Sequence, residues 1–461
     1  MNRITRAVTD GSRTRRAAKA GALAAVLAVA LPIAACDDFL TVEDPDIINP
    51  SDIQSPQGAE AARNGALARF NVATSGGESL FLLGGLFADE WNNGDSFIAR
   101  QEIDQRTITA ENSFLTTANR ALHRARLSAE QAADLLKRYS PNAPTWQIAE
   151  MEFIQAYIIN LMAEHYCDGL ILSTVVDGRE QFGHPMTTVE AYERALSIAN
   201  AGLDRISETS AEAALIRYAL QVTKGRILLN LDRAAEAAQA VNGVPTDFKY
   251  FVRHSPNTTT NAIWQLNNRD RRYSVSDREG INGLDFATAN DPRLPVCRGG
   301  DPECAAIGVT DPRRDDRSAE PLYVQMIWTT ETSPVVVVDG IEARLIEAEA
   351  QLRAGNSAWL TTLNDLRATV GLGPLPDPGN EIARQDLLFR ERAFWFFGRG
   401  HRVGDLRRLV RQYGRSPETV FPVGAWHKGG NYGTDVTLPI PQAEENNPNA
   451  PRGQLCMNRN A

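Results

Sequence analysis

The stretch from Phe389 to Leu409, FRERAFWFFGRGHRVGDLRRL, constrains this chain more than any other. Phe394, Trp395, Phe396 and Phe397 are consecutive. At about 100° per residue they wrap most of a helix, so the helix carrying them is predicted to be buried nearly all round. Gly398 and Gly400 then stop it, because glycine reaches positive φ at little cost. Val403, Leu406, Leu409 and Val410 mark a second short helix. Arg392, Arg402, Asp405 and Arg407 sit beside this core, and buried charges must be paired. Arg–Asp pairs are therefore expected, as a packing clasp rather than a ligand-binding arginine cluster.

Apolar patterning elsewhere is also helical. Helices are predicted from Ser51-Asp52 to about Ala73, over Leu80 to Phe87, from about Ser113 to Arg138, from Pro144 to His165 and from Val189 to Ile206. Ala211 to Val241 reads as a helical hairpin turning at Leu231-Asp232-Arg233. Its Ala219, Gly225, Ala234 and Ala238 let two antiparallel helices approach closely, a tetratricopeptide-like pattern. Ile341 to Ala354 and Ala358 to Val370 form a second such pair. Between them, residues 244–335 are rich in Asn, Asp, Gly and Pro, with β-like pieces at Asn261–Leu266 and Leu322–Trp328. A stretch this long and irregular inside a helical protein is expected to carry function. The fold class is thus mainly α, with tetratricopeptide-like pairs and a loop-rich inserted ligand-facing region.

The N-terminus reads as a targeting segment. Arg3, Arg6, Arg13, Arg15, Arg16 and Lys19 precede an apolar run, Gly21 to Ala34, which is too short to span a bilayer at about 20 residues. It ends Ile33-Ala34-Ala35-Cys36, which looks like a bacterial lipobox with Cys36 as the lipid anchor. The division is then 1–35 signal peptide, 36–50 lipidated tether, 51–243 helical scaffold, 244–335 ligand-facing region, and 336–461 C-terminal helical region and tail. Cleavage before Cys36 removes six positive charges and one negative, so the body is more acidic than the −9 of the whole chain. That balance argues against nucleic acid as a partner. Of the remaining cysteines, Cys297 and Cys304 bracket the turn-rich RGGDPE and are disulfide candidates. No histidine pair lies nearby at ligand spacing, so no metal site is expected there, and no cofactor motif occurs. The pairing of Cys167 and Cys456 stays open at this level.

The sequence resembles the RagB/SusD family of outer-membrane nutrient-binding lipoproteins. The matching pieces are CDDFL after the lipobox, AEMEFIQAYIINLMAEHYCDG, DPR at Asp291 to Arg293, ARLIEAEAQLRAG, LNDLRATVGL, RERAFWFFGRGHRVGDLRR and LPIPQAEENNPN, in family order over nearly the whole mature chain. Two departures stand out: Tyr166-Cys167-Asp168-Gly169 replaces the family's Tyr-Gly-Asp-type break, and the chain is shorter than many members. The acidic pair Asp37-Asp38 resembles both an inner-membrane retention signal and the surface-export signal of such lipoproteins; the rest of the chain favours the surface. The resemblance implies a lipid-anchored outer-membrane protein that holds a glycan or peptide without catalysis. It also implies a partner, a TonB-dependent outer-membrane transporter (SusC-like).

Sugar rings need flat aromatic platforms with polar groups for their hydroxyls. Trp91 with Asn92 and Asn93, Trp264 with Asn267 and Asn268, Tyr273, Tyr323 and Trp328 meet that description. The expected ligand-binding residues are therefore Trp91, Asn92, Trp264, Tyr273, Tyr323 and Trp328. The charged run Arg269 to Arg272 beside Trp264 would also serve an extended peptide. The enzyme alternative is a helical glycoside hydrolase with paired carboxylates drawn from Asp89, Glu90, Asp285 and Asp311. Adjacent helical residues point apart, so Asp89 and Glu90 are a poor pair, and no nucleophile signature accompanies the histidines. A protein-binding tetratricopeptide scaffold is the third class, but it would not need the inserted face.

Overall fold

A computed structural model describes residues 54–176, 179–450 and 455–456. The lipobox, Cys36, the tether and the expected helix start at Ser51-Asp52 lie outside these residues. The first helix described, α1 (Pro56–Ser75), begins where the Ser55 side chain accepts from the Gly58 amide and a proline occupies the first turn. The apolar α2 (Leu80–Phe87) is entirely buried. Then come α3 (Ile98–Asp104), α4 (Ser113–Tyr139), whose first turn is capped by the Asn112 side chain, and α5 (Thr145–His165).

The nearly continuous apolar run of α5 makes it the central helix, buried without a break from Ala149 to His165. Its polar residues there have partners: Glu150 with Arg63, Glu152 with Arg205, Glu164 with Arg226 and Asn230. The helix α4 packs between α1 and α5, and α6 (Thr188–Arg205) packs on the other side of α5.

Two helical hairpins follow. The first is α7 (Ala211–Asn230) with α8 (Ala234–Ala240). A side chain at Gly225 would meet Val241 at 2.6 Å, so the small residue sets how closely this pair approaches. The second, past the inserted region, is α11 (Gly340–Arg353) with α12 (Ala358–Ala368). Although separated in sequence, the hairpins meet through α8 and α11, so the helical layer is continuous in space. The inserted strand Val335–Asp339 pairs antiparallel with Lys249–Val252 and feeds directly into α11.

The inserted region departs from expectation at Asn261–Leu266, which is helical. Its Asn261 side chain accepts from the amides of Ile263 and Trp264, capping a helical turn, α9 (Ala262–Trp264), that runs into a π-turn over Gln265–Arg269. The second β-like piece contains a strand, Tyr323–Gln325, paired with Val296–Arg298. Another short helix, α10 (Pro302–Ala306), carries Cys304, which is bonded to Cys297. Cys167 is bonded to Cys456 with 5.2 Å between Cα atoms, next to a bridge between Tyr166 and Leu438.

The aromatic helix is α13 (Glu381–Trp395), followed by α14 (Arg402–Arg411). Phe394, Phe396 and Phe397 are buried and Trp395 half-buried. Gly398 and Gly400 adopt φ of 67° and 69°, as the turn between the helices requires. Among the described residues, no helix is long and apolar enough to cross a membrane.

Candidate functional site

Arg392, Arg399, Arg402 and Arg408 of the aromatic stretch each pair with a buried acid, whereas Arg407 meets backbone carbonyls instead of the expected aspartate. Arg392 Nε and Nη2 each donate to Asp405 at 2.8 Å, and Arg408 donates to the same carboxylate and to Glu349. Arg402 forks onto Asp89 at 2.6 and 2.8 Å, and Arg399 reaches Asp339 at 2.8 Å. Burial opposes the Asp405 charge, but Arg392 and Arg408 prevail and hold it well below the usual carboxylate range. With both partners of each pair buried, this clasp has no charge left to offer a ligand.

The irregular face is built differently. The chain leaving α2 forms the strand Trp91–Asn93, which pairs antiparallel with Tyr273–Val275 from the inserted region. This strand is fixed by a segment far away in sequence. The tail segment around His427 and Tyr432 closes over this pair. Together these pieces enclose a cavity of about 230 Å³ lined by Asn92, Glu279, Arg314, Tyr323, His427 and Tyr432, among others. Larger depressions lie along residues 442–450, between α6, α7 and α8, and beside α4 around His123 and Arg126. The smaller cavity lies on the irregular face and joins buried polar groups to the rings of Tyr323 and Tyr432.

Its floor is one connected network. Arg314 Nη2 donates to Asn92 Oδ1 at 2.7 Å, and Asn92 Nδ2 donates to Glu279 Oε1. Arg314 Nε donates to the Pro321 carbonyl at 3.1 Å, and Nη1 lies 3.4 Å from His427 Nδ1. His427 Nε2 faces Asp104 Oδ2 at 2.8 Å, so the ring bridges Asp104 and Arg314. Asp104 Oδ2 also accepts from Trp426 Nε1 at 3.0 Å and the Asn93 amide at 3.2 Å. Burial, reinforced by the charges of Asp104 and Asp89, pushes the Glu279 carboxyl well above its usual value. Burial also depresses the Arg314 guanidinium.

Of the residues expected to bind ligand, Asn92 and Tyr323 line this cavity. Trp91, Tyr273 and Trp328 are at most 4% exposed. The expectation that they offer flat rings to a ligand is not met in this structure, because core surrounds each of them. Trp91 packs 4.6 Å from Phe397 and 6.3 Å from Tyr273, and Trp328 lies against Gly398. Trp264 is half-buried outside the cavity, with Arg269 over its ring at 5.7 Å. Asn267 and Asn268 are buried and brace the strand at Tyr323 and Gln325. Glu279, Arg314, His427 and Tyr432 were not expected from sequence. No motif joins them; a histidine beside a glycine pair in WHKGGNYG was the one local signal. Phe97, about half exposed with Arg272 over its ring at 5.2 Å, was also passed over.

The acids considered for hydrolysis are each taken up by an arginine or an amide. Asp89 binds Arg402, Glu90 accepts from the Gly398 amide, Asp285 pairs with Arg390, and Asp311 with Arg271 and Arg313. Among the described residues, no group of three or more His, Cys, Asp or Glu side chains could hold a metal ion.

No protein-family model matches the sequence, and no curated protein matches it either. Solved structures do match. A SusD superfamily protein from Parabacteroides distasonis is 15% identical, with a TM-score of 0.62 over 85% of this chain and 98% of its own. A SusD-like carbohydrate-binding protein from Bacteroides fragilis is 14% identical, with a TM-score of 0.61 over 85% and 98%. A laminarin-binding SusD-like protein is 15% identical, with a TM-score of 0.54 over 86% and 98%. At these identities the likeness shows that the chain shares the helical SusD-like fold.

Proposed function

We propose that this chain is a surface-exposed, lipid-anchored outer-membrane lipoprotein that captures a glycan and passes it, chemically unchanged, to a TonB-dependent transporter. The observation that carries the reading is the cavity on the irregular face, where Tyr323 and Tyr432 border a buried polar floor of Asn92, Glu279 and Arg314. Such a site offers apolar ring surface and fixed donors and acceptors together, which is what a hydroxyl-rimmed sugar ring needs. The carbohydrate-binding and laminarin-binding structures of the same fold support the substrate class. Trp264 and Phe97 are proposed as outer contacts. If each ring contact is worth about 1 kcal/mol, two or three of them supply part of the roughly 4–8 kcal/mol of millimolar to micromolar capture, and hydrogen bonds to the polar floor supply the rest.

Calorimetry of the mature chain against a glycan and peptide panel, repeated with Asn92→Ala and Tyr323→Ala, tests the site. Binding of a glycan that both substitutions weaken is the expected result. Binding of peptides alone replaces the ligand class, and unchanged affinity in both variants removes the cavity from the reading. Cleavage products in the same mixtures favour the hydrolase alternative. For the anchor at Cys36, Cys36→Ala is expected to release the protein from the membrane fraction. Co-purification of a β-barrel transporter with the wild-type chain tests the partner.

A further inference from the structure

Arginines are buried throughout this molecule, and most touch a carboxylate. Arg100 meets Asp95 and Glu78, Arg226 meets Glu164, and Arg399 meets Asp339. Arg314, only 2% exposed, has no ion pair among the described residues. Arg106 and Arg407 share that lack; their hydrogen bonds run to backbone carbonyls, Pro422 and Asp435 for Arg106 and Ala163, Glu164 and Tyr166 for Arg407, and neither lines this cavity. Arg314 is held instead by Asn92, the Pro321 carbonyl and His427, and it lines the cavity. These neutral contacts use one N–H on each nitrogen and leave a second on each terminal nitrogen for another acceptor. A buried guanidinium without a contacting counter-charge is costly, and an anionic occupant relieves that cost.

We propose that the occupant of this cavity is an acidic sugar, a uronic acid residue whose carboxylate pairs with Arg314. The proposal rests on the glycan-capture reading and narrows it. The cavity volume, near 230 Å³, is below the usual range for a whole small-molecule site and suits a single ring of a longer chain. Four acids act on Arg314 without an ion pair to it: Glu320, Asp104, Glu279 and Asp316, the last paired with Lys428. Asp104 lies behind His427, with its Oδ2 taken by three donors. Glu279, in the same floor network, is pushed by burial toward its neutral form. Asp277 and Arg278 stand together on one rim, and Glu320 is exposed on the other.

The test compares tetrasaccharides of galacturonate, mannuronate and hyaluronan with their carboxyl-reduced counterparts on the full mature chain by calorimetry at pH 7. At least one acid is expected to bind about tenfold or more tightly than its reduced form, the scale of one charge-assisted hydrogen-bond pair. Arg314→Gln is expected to abolish that advantage and Arg314→Lys to keep part of it. Equal binding of every acid and its reduced form by the wild type overturns the inference, as does an advantage that survives Arg314→Gln. Because the first comparison uses only the wild-type chain, a misfolded variant does not blunt it. If neutral glycans bind and no acid is preferred, the charge assignment alone fails. If no glycan in either panel binds, the capture reading fails with it.

Discussion

Replacing Trp91 by alanine separates a core tryptophan from a ligand platform. Trp91 is fully enclosed, 4.6 Å from Phe397 and 6.3 Å from Tyr273, with Gly85 and Gly398 close to its ring. A buried aromatic of this size removes ~150–250 Å² from water, which at about 25 cal/mol per Å² corresponds to ~4–6 kcal/mol. Its Nε1 finds no partner among the described residues, so truncation also relieves a desolvation cost of about 1–3 kcal/mol. The net expectation is a loss of roughly 1–5 kcal/mol, whose upper part reaches the range of buried aromatic-to-alanine changes. Urea unfolding followed by tryptophan fluorescence and far-UV circular dichroism measures it. A loss below about 1 kcal/mol refutes the argument from enclosure, and so does a selective loss of glycan binding at unchanged stability.

Glu90 gives the clearest pH signature. Burial pushes its carboxyl up from 4.5 to about 8, against one hydrogen bond from the Gly398 amide. Between those values the native state holds a proton that the unfolded chain lacks, so this group makes stability fall as pH rises, by about 1.4 kcal/mol per pH unit. Glu90→Gln removes that slope and is expected to be no less stable than wild type at pH 7.5; parallel stability curves from pH 5 to 8 would sink the assignment. Asp405 has the opposite sign. Its depressed native value stabilises the fold above about pH 4 and the contribution is lost as pH falls, while Asp405→Asn is expected to cost about 3–5 kcal/mol in urea unfolding. On a chain-entropy basis, Cys167–Cys456, with a separation of 289 residues, contributes up to roughly 5–6 kcal/mol and Cys297–Cys304 about 2–3. Paired Cys→Ser variants in urea should preserve that order; equal losses would show that the long loop is already compact in the unfolded state.

Much of the scaffold was legible because its signals are local. The ends of α4 and α5 fall within a residue or so of the expected ones, since Asn112 caps the first and Pro144 and the Tyr166 break bound the second. The small residues of α7 and α8 also do what their spacing implied. The clasp could be read as a need for paired charges, but not its partners: Asp89, Asp339 and Glu349 come from three distant segments. Trp91 was misplaced for the same reason. Its strand exists only through pairing with Tyr273–Val275, and its ring is covered by residues near the end of the chain. The capping asparagine at 261 was present in the sequence, but the apolar residues after it read equally well as a strand. The cavity left the faintest trace, because Asn92, Glu279, Arg314 and His427 each follow a different turn and share no spacing.

The ion pair between Arg402 and Asp89 joins positions 313 residues apart, and the Gly398 amide meets Glu90 across 308. A growing polypeptide therefore exposes these early acids long before their partners have been synthesised. Any product terminated upstream of Arg402 would leave Asp89 stranded within an apolar surround, so shortened versions are not expected to act as smaller binders. Maturation then waits on the final stretch to leave the ribosome, which lengthens the interval in which a chaperone must shield the nascent chain.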